Sequence, residues 1–436
     1  MSDAGGPSRR RLLAGIGTAT AAALSGCQVF ESADSEETVT PAAVPDPARS
    51  GGRLLVRHEG AQSEGPAEAA MTDLLEAFAA RNEGLRVGTA PPDAPRPATP
   101  NAATVDLGHV GGALAPRAEA GDLAILERTW ERIRQHIPVG LSVACYLDRD
   151  LVAIPQSVHR LNCLYYNPAT LDRAGVDIET YTTFRDLHEE PAGLGEAVDT
   201  LFAQPLASPR DRLALWESLL GGRLVSQAQF DQMVTGGVPP HSVPVRRATG
   251  DYAAALSMTP DAAREAPPEV LLDGVVDGEI GFVRQPSWVA HHLVGRADAT
   301  YGENWAVAPV FSSPWVFTFV ADGFAVPGAS GDLSTARAFV RFAIETERQR
   351  HYNERRGAIP ARQDIAGSVD HHPFYAAQAE DYQRATIFAR SLADQMAVTE
   401  SVRRQLFEAL AGFERHESVE RTTGELVAAL ETASML

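Results

Sequence analysis

The chain has 436 residues, 44% of them hydrophobic, which is typical of a globular protein with two or three domains and not of a disordered chain. It contains 57 acidic residues against 38 basic ones, all of them Arg, and its net charge is -19. An acidic chain repels nucleic acid and anionic lipid headgroups, so we expect no nucleic-acid partner.

The first 27 residues are predicted to be the export signal of a lipoprotein. Arg9 and Arg10 begin a cationic run that precedes a short stretch rich in Gly, Ala and Thr. This arginine pair is typical of twin-arginine export, and the small residues before Cys27 resemble a lipobox. The alternative is a chance cluster of Arg beside an Ala-rich tail. We expect Cys27 to carry lipid and the protein to lie on the extracellular face of the cell membrane.

Residues 28–52 are rich in Glu, Ser, Thr, Ala and Pro, which predicts a disordered tether between the membrane and the globular part. No apolar run after Cys27 approaches the ~18 residues that a transmembrane helix needs. The lipid is therefore the only membrane attachment that we expect.

The globular part is predicted to begin with a β-α-β unit. Residues 53–57 and 85–87 predict buried strands. Between them, apolar residues recur at helical spacing: Ala70, Met71, Leu74, Leu75 and Phe78. This order implies a parallel sheet, and open α/β sheets bind ligands at the carboxyl ends of their strands. The polar loop after the first strand therefore supplies three candidate ligand-binding residues: Gln62, Ser63 and Glu64.

A second ligand-facing loop is predicted after residues 105–107. The Pro-rich segment 88–104 cannot be helical, and the strand at 105–107 leads into Gly108-His109-Val110-Gly111-Gly112. This turn lacks the Lys-Ser/Thr ending of a phosphate-binding loop. His109 is the candidate ligand-binding residue in it.

Further strands are predicted at residues 151–155, 162–167, 279–283, 306–310, 316–320 and 324–326. A helix is predicted from Leu333 to near Gly357, and two or three amphipathic helices follow between residues 374 and 436. Cys145 and Cys163 are expected to be buried free thiols, although the two could pair outside the cell.

Four passages of the chain resemble one known family. They are residues 154–167 with 171–175, 277–288, 322–342 and 352–362. In their order and spacing they are similar to the extracellular solute-binding proteins of carbohydrate ABC importers, the maltose and glycerol-phosphate group, over roughly residues 53–436. The chain departs from the family in two places. The Pro-rich loop stands where the family has a helix, and the Gly before the family's Trp is replaced in Gln285-Pro286-Ser287-Trp288.

The resemblance implies an α/β fold with two periplasmic-binding-protein-like lobes of type II, each a mainly parallel sheet flanked by helices. The lobes are discontinuous and joined by a hinge: residues 53–155 and 309–355 form lobe one, and residues 156–308 and 356–436 form lobe two. The implied function is capture of a sugar between the lobes and delivery to the permease of the importer. We expect a monomer.

A sugar site needs an aromatic plate for the apolar face of the ring and polar groups for its hydroxyls. Trp288 matches the stacking tryptophan of the family. Trp216 and Trp315 are further candidates. Trp130 is assigned to the core, and Trp305 could belong either to the core or to the site. At the hinge the candidates are His159, Arg160 and Asn162. His159 and Arg160 could serve an acidic or phosphorylated sugar, or form salt bridges with neighbouring carboxylates.

Enzymatic functions find little support in the sequence. It contains neither Gly-x-Ser-x-Gly nor His-Glu-x-x-His, and its adjacent His pairs, 291–292 and 371–372, would point to different sides of a helix. We expect no catalytic residue, no metal site and no cofactor. Two alternatives remain open: a secreted hydrolase on an α/β scaffold, and a binder of another solute such as a glycerol phosphodiester, an amino acid or an anion.

The composition also indicates the environment. Hydrated carboxylates keep a protein soluble at high salt, where their mutual repulsion is screened. The acidic, Lys-free sequence therefore favours a high-salt organism, with an ordinary acidic secreted protein from a GC-rich genome as the alternative.

Overall fold

The computed structural model describes residues 52–433, with gaps at residues 64, 98, 132, 179–180, 182–183, 189–191, 311–314 and 369–371. Arg9, Arg10 and Cys27 of the predicted export signal lie outside the described residues, as do the predicted tether up to residue 51 and Glu64. Among the residues described, no helix is both long and apolar enough to cross a bilayer.

Two β-sheets form the framework. The strands are β1 (Arg53–Arg57), β2 (Arg86–Ala90), β3 (Ala102–His109), β4 (Tyr146–Leu147), β5 (Asp150–Leu151), β6 (Ala153–Arg160), β7 (Cys163–Tyr166), β8 (Thr200–Ala203), β9 (Ile280–Gln285), β10 (Ala306–Pro309), β11 (Val316–Ala325), β12 (Ile359–Pro360) and β13 (Ile387–Arg390). In the described part of the chain, the larger sheet has the order β12-β6-β11-β3-β1-β2, with β13 paired to β11, and the smaller sheet has the order β10-β7-β9-β8. Strands β4 and β5 form a separate hairpin.

Helices cover both sheets. They are α1 (Pro66–Ala79), α2 (Ala115–Glu119), α3 (Glu127–Trp130), α4 (Val139–Val143), α5 (Pro168–Ala174), α6 (Phe184–His188), α7 (Ala192–Ala197), α8 (Pro209–Gly221), α9 (Gln227–Val234), α10 (Val243–Met258), α11 (Asp261–Arg264), α12 (Pro268–Val276), α13 (His291–Val294), α14 (Leu333–Ala343), α15 (Thr346–Arg356), α16 (Gln363–Ala366), α17 (Pro373–Arg384), α18 (Glu400–His416) and α19 (Val419–Glu431). Short 3-10 turns occur at Gly112–Leu114, Arg134–His136 and Ser287–Ala290.

Local sequence signals fix the helices that matter for the site. All five apolar residues predicted for the first helix are buried on α1, which starts with a proline at its first position. Helix α8 starts at Pro209, after a capping box in which Ser208 and Asp211 exchange hydrogen bonds. Because α8 begins at this point, Arg210 lies in its first turn.

The predicted α/β architecture is confirmed, but both sheets are mixed rather than mainly parallel. Strand β1 is parallel to β2 and β3, whereas β11 is antiparallel to β3 and β6. In the smaller sheet, β8 is parallel to β9 but β7 is antiparallel to β9 and β10. The chain passes from the larger sheet to the smaller between β6 and β7, and it returns between β10 and β11.

These two crossings connect the sheets. Asn162, between β6 and β7, donates through Nδ2 to the Val316 carbonyl oxygen and accepts from the Thr318 N–H at 3.2 Å. Its own carbonyl oxygen accepts from the Val310 N–H at 3.0 Å. A single buried residue therefore bonds to both crossings, through its side chain and its backbone.

The strands also bear on the predicted limits of the lobes. Strand β6 runs unbroken through the predicted boundary between residues 155 and 156. Strands β12 and β13 lie in the segment predicted for lobe two, 356–436, yet they pair in the larger sheet with β6 and β11. The larger sheet thus takes strands from more of the chain than lobe one was predicted to include.

Each sheet packs against its own apolar core. The larger sheet and α1, α14 and α15 enclose one core, which includes Trp130 as predicted. Helices α8, α10, α18 and α19 enclose another beside the smaller sheet. Cys145 and Cys163 are buried free thiols, and burial raises the pKa of the Cys163 thiol to about 12.

Candidate functional site

A cavity of about 820 Å³ opens where the carboxyl ends of β1 and β3 face the segments that follow β8 and β9. Its volume lies within the range of small-molecule sites in proteins. The larger sheet contributes His109 on β3, His159 on β6 and Asp322 on β11. The smaller sheet contributes Arg210 in the first turn of α8 and Trp288 after β9. Elements on both sides of the two crossings therefore line one cavity.

The register of the larger sheet explains how the polar residues meet. His109 lies directly opposite Asp322 in the antiparallel pair of β3 and β11, and His159 lies opposite Val320 in the pair of β6 and β11. Side chains of opposed residues share a face, as do those two apart on a strand. The three polar side chains consequently form one row on the sheet face that lines the cavity.

Asp322 is the electrostatic centre of this row. Its Oδ1 contacts His109 Nδ1 at 2.8 Å, and its Oδ2 accepts from Arg356 at the end of α15. Burial alone would raise the pKa of Asp322, but Arg356 and His109 together hold it well below the usual range of an aspartic acid. Asp322 is thus a buried carboxylate shared by a guanidinium and an imidazole.

The two histidines of the row differ in their electrostatics. Burial disfavours the cation of His109, but the hydrogen bond to Asp322 and the negative charges of Asp322, Asp394 and Glu59 together outweigh burial and raise the pKa of His109. Burial and the neighbouring Arg356 lower the pKa of His159 to about 3, so that its ring is neutral at pH 7. His159 is 6% exposed, and its Nδ1 has no hydrogen-bond partner among the described residues. The cavity therefore presents one imidazole that favours the cation beside one that is neutral.

Trp288 forms the aromatic side of the cavity. Its ring lies 5.5 Å from the His159 ring, edge to face, and 5.5 Å below the guanidinium carbon of Arg210. Arg210 Nε donates to Asp394 Oδ1 at 2.6 Å, which holds the guanidinium in place. A partly exposed indole held between a cation and an imidazole is suited to pack against the apolar face of a ring.

Asp394 lies in the segment that follows β13, residues 391–398, here called the junction segment. Glu217 on α8 anchors this segment, because it accepts from the Leu392 and Ala393 N–H groups at 2.6 and 3.0 Å. Gly111 approaches the segment from the β3 side, so closely that a Cβ on it would lie 2.1 Å from the Met396 carbonyl oxygen. The junction segment therefore connects Arg210 to the strand that holds His109.

The amino end of α1 borders the same cavity. Gly65, Pro66 and Ala67 line it, and the helix has no side-chain cap. Gly60 also lines it, and a Cβ there would meet Ala67 Cβ at 2.7 Å, so glycine permits the turn to pack against the helix. The first N–H groups of a helix lack intrahelical partners and carry a partial positive charge. This end of α1 is therefore available to a ligand.

Comparisons with known proteins agree with this geometry. No family model matches the sequence. The xylose/arabinose-binding protein XacG of Haloferax volcanii is 24% identical over 262 residues, 58% of this chain and 55% of XacG. An uncharacterised ABC transporter extracellular-binding protein of Pyrococcus horikoshii is 21% identical over 332 residues, 74% of this chain and 73% of that protein. The chain thus matches about half the length of XacG.

A solved structure resembles almost the whole described region. The GacH receptor of Streptomyces glaucescens, solved unliganded and with acarbose, superimposes with a TM-score of 0.64 and 17% identity. The match covers 88% of this chain and 97% of GacH. The fold is that of a two-lobed periplasmic binding protein. The two sequence relatives are a sugar-binding protein and an extracellular-binding protein of an ABC transporter, and the predicted resemblance is confirmed at this level.

Three residues predicted for the ligand site line the cavity together: His109, His159 and Trp288. Gln62 and Ser63 do not line it but lie in the exposed turn between Gly60 and Gly65. Ser63 Oγ donates to the Gly60 carbonyl oxygen at 2.7 Å. These two side chains therefore stand at the rim, and Ser63 stabilises the turn.

Arg160 and Asn162, two other predicted residues, lie behind the cavity. Arg160 is 1% exposed, pairs with Asp381 and stacks over Phe317. Side chains alternate along a strand, so Arg160 faces away from the side that His159 lines. Asn162 forms hydrogen bonds with the segments in which the chain crosses between the sheets. Both residues have structural partners in place of a ligand.

The predicted tryptophans other than Trp288 are also away from the cavity. Trp216 is fully buried in the core beside the smaller sheet, where its Nε1 donates to Thr249 Oγ1 at 3.3 Å. Trp315 is 52% exposed and does not line the cavity. Trp305 is fully buried against Tyr165 and Tyr301. An apolar ring at helical or strand spacing serves the core as readily as a ligand, so the sequence could not separate these cases.

Several cavity residues were not predicted from the sequence: His58, Glu59, Arg210, His291, Asp322, Arg356, Asp394, Gln395 and Arg403. Only the position of His58 and Glu59, directly after β1, carried a signal. The others come from distant segments whose ends show no motif. Within the described residues, no group of three or more His, Cys, Asp or Glu side chains is arranged to hold a metal ion.

Proposed function

We propose that the protein captures a sugar in the cavity between its lobes and delivers it to the permease of an ABC importer. The observation that carries this proposal is the position of Trp288, a partly exposed indole that packs beside His159 of the polar row in a cavity lined from both sheets. The name of XacG, which gives xylose and arabinose as its ligands, and the acarbose complex of GacH support a sugar. No side chain of the chain is assigned a catalytic role.

The cellular setting is part of the proposal. Export by the twin-arginine route through Arg9 and Arg10, followed by lipid attachment at Cys27, would hold a monomeric binding protein on the outer face of the membrane. A single lipid would not anchor it firmly, whereas two chains on one cysteine would. The acidic, Lys-free composition and the relative from a halophilic archaeon support a high-salt environment.

Ligand capture is tested by thermal unfolding in molar NaCl with monosaccharides, oligosaccharides, sugar phosphates and glycerol phosphates. A ligand at 100 times its Kd should stabilise the protein by about 2.7 kcal/mol. Chromatography of the same mixtures should show the sugar unchanged. Product formation would instead establish the hydrolase, and stabilisation by a non-sugar solute alone would establish the other alternative.

Trp288→Ala tests the site itself. Loss of the indole should weaken the affinity for the sugar about tenfold or more, because the stacking surface is removed. Trp315→Ala is the matched control, since that indole is exposed and does not line the cavity. Equal affinities of the two variants would remove Trp288 from the site.

A further inference from the structure

The cavity differs from the whole chain in its charge balance. The whole sequence has 57 acidic residues against 38 arginines, whereas the cavity lining has three arginines against three carboxylates. They are Arg210, Arg356 and Arg403, against Glu59, Asp322 and Asp394. Four histidines also line it, but burial lowers the pKa of His58 and His159, which favours their neutral forms. A positive charge in excess therefore depends on the remaining histidines, and a solute with negative charge would be favoured where that charge is held.

The ion pairs show where this positive charge is located. Arg210 is balanced by Asp394, and Arg403 Nε donates to Glu400 at 2.8 Å. Asp322, in contrast, is shared by Arg356 and His109. When His109 is protonated, this group of three carries one positive charge in excess.

The excess positive charge of this group lies on His109, whose side chain lines the cavity. Its Nδ1 is engaged by Asp322, which leaves Nε2 for a ligand, and its side chain is 31% exposed. The amino end of α1 borders the same space and favours negative charge. His159, buried and neutral, lines the same cavity, although its unpartnered Nδ1 is itself shielded from solvent. An anionic substituent bound at His109 would thus pair with the imidazole cation in a cavity that a helix amino end also borders.

We propose that the ligand is a sugar that carries one carboxylate, such as a uronic or aldonic acid, and that this carboxylate pairs with His109. The proposal rests on the proposed function and names its substrate class. Because Glu59, Asp322 and Asp394 also line the cavity, a single negative charge fits better than the double charge of a phosphate. Hydrogen bonds between two charged groups are the stronger ones, which gives the acid its advantage over the neutral sugar.

Calorimetric titration of matched pairs tests the proposal: glucuronate against glucose, galacturonate against galactose, and xylonate against xylose. At pH 6 in molar NaCl, the acid of at least one pair should bind tenfold or more tightly than its neutral partner. Equal or tighter binding of the neutral sugars would overturn the inference and leave the proposed function intact. Failure of all sugars to bind would overturn both, and tighter binding of glucose 6-phosphate would overturn the assignment of a carboxylate.

The pH dependence of the affinity tests whether the positive charge lies on His109. Between pH 6 and pH 9 the affinity for the acid should fall as His109 loses its proton, whereas that for the neutral sugar should change less than threefold. Asp322, Asp394 and Glu59 raise the pKa of His109 against the effect of burial, and Arg356 and His159 line the same cavity. His109→Gln should remove both the preference for the acid and its pH dependence. His292→Gln, which changes a histidine paired with Asp273 outside the cavity lining, should retain them.

One result would overturn the role of His109. If His291→Gln removes the preference for the acid and His109→Gln does not, the charge lies on the other side of the cavity. The comparison of acid with neutral sugar needs only the unaltered protein, so it stands even where a variant fails to fold.

Discussion

Glu217 is a buried carboxylate that lies outside the cavity lining. It is 3% exposed, and its carboxylate accepts hydrogen bonds from Leu392, Ala393 and Ser391 of the junction segment. Burial and the nearby Asp394 raise the pKa of Glu217 to about 7, against the two backbone N–H groups that lower it. A residue that holds the segment carrying Asp394 therefore changes its charge near neutral pH.

This residue predicts a pH dependence of stability. The unfolded chain releases the Glu217 proton near pH 4.5, while the folded protein keeps it up to about pH 7. Stability should consequently fall as the pH rises through this window and level off above it, by roughly 3 kcal/mol in total. Glu217→Gln can keep the acceptor for the two N–H groups but does not titrate, so it should lose this contribution.

The check is the free energy of unfolding in urea at pH 5 and pH 8. The difference between the two pH values should be smaller in Glu217→Gln than in the unaltered protein. Glu265→Gln, at an exposed position, removes the same charge and should leave the difference unchanged. An identical pH dependence of all three proteins would show that Glu217 has an ordinary pKa.

At the scale of elements, the loop that follows β3 packs very closely against the junction segment at Gly111. Gly111 has a φ of +89°, and a Cβ there would overlap the Met396 carbonyl oxygen. Gly111→Ala should therefore destabilise the protein by about 2 kcal/mol or more, because both the backbone angle and the packing must change. Denaturant unfolding measures the loss.

Gly88→Ala is the matched control for this substitution. Gly88 lies in β2, and a Cβ there would meet no atom within 4 Å. Its replacement should leave stability within about 1 kcal/mol of the unaltered protein, with either sign. If Gly111→Ala were equally mild, the junction segment would move away at little cost, and its connection to the strand that holds His109 would be weak.

The elements also show what the sequence could and could not predict. Helix α1 was predictable because its apolar residues repeat at helical spacing and nothing else competes. Strand β6 was predicted only to residue 155, because Gln156, Ser157, His159 and Arg160 are polar. All four are buried, and partners from distant segments satisfy several of their polar groups, among them Asn353 on the Gln156 carbonyl oxygen. Such tertiary partners leave no local signal.

The site illustrates the same limit. His109 and Trp288 were predictable, one from its loop after a strand and the other from the family resemblance. Asp322 lies 213 residues from His109 and meets it only because β3 and β11 pair in one register. Arg356 and Asp394 reach the cavity from a helix end and a loop that carry no motif. Charge pairs between neighbouring strands can be predicted only when the strand order and register are already known.

At the scale of the whole molecule, the proposed function places ligand-driven closure at the two crossings. Arg210 and Trp288 belong to elements that follow strands of the smaller sheet, whereas His109, His159 and Asp322 belong to the larger one. A sugar that contacts both groups, as proposed, would stabilise the arrangement in which they face each other, which is how hinge closure around a ligand is driven. Asn162 bonds to both crossings, so it would act in this closure without contacting the sugar.

The net charge of -19 predicts that stability depends on salt. Excess carboxylates repel one another in the compact state, and raising NaCl from 0.1 M to 1 M shortens the screening length from about 10 Å to about 3 Å. The midpoint of thermal unfolding should therefore rise over this range. Near pH 5.1, where the net charge approaches zero, the same addition should have a smaller effect. This second measurement separates charge screening from the general exclusion of salt, which stabilises proteins at any net charge. Full stability in 0.1 M NaCl at pH 7, with no gain at 1 M, would mean that the acidic residues are spaced well enough for the fold to tolerate them without screening.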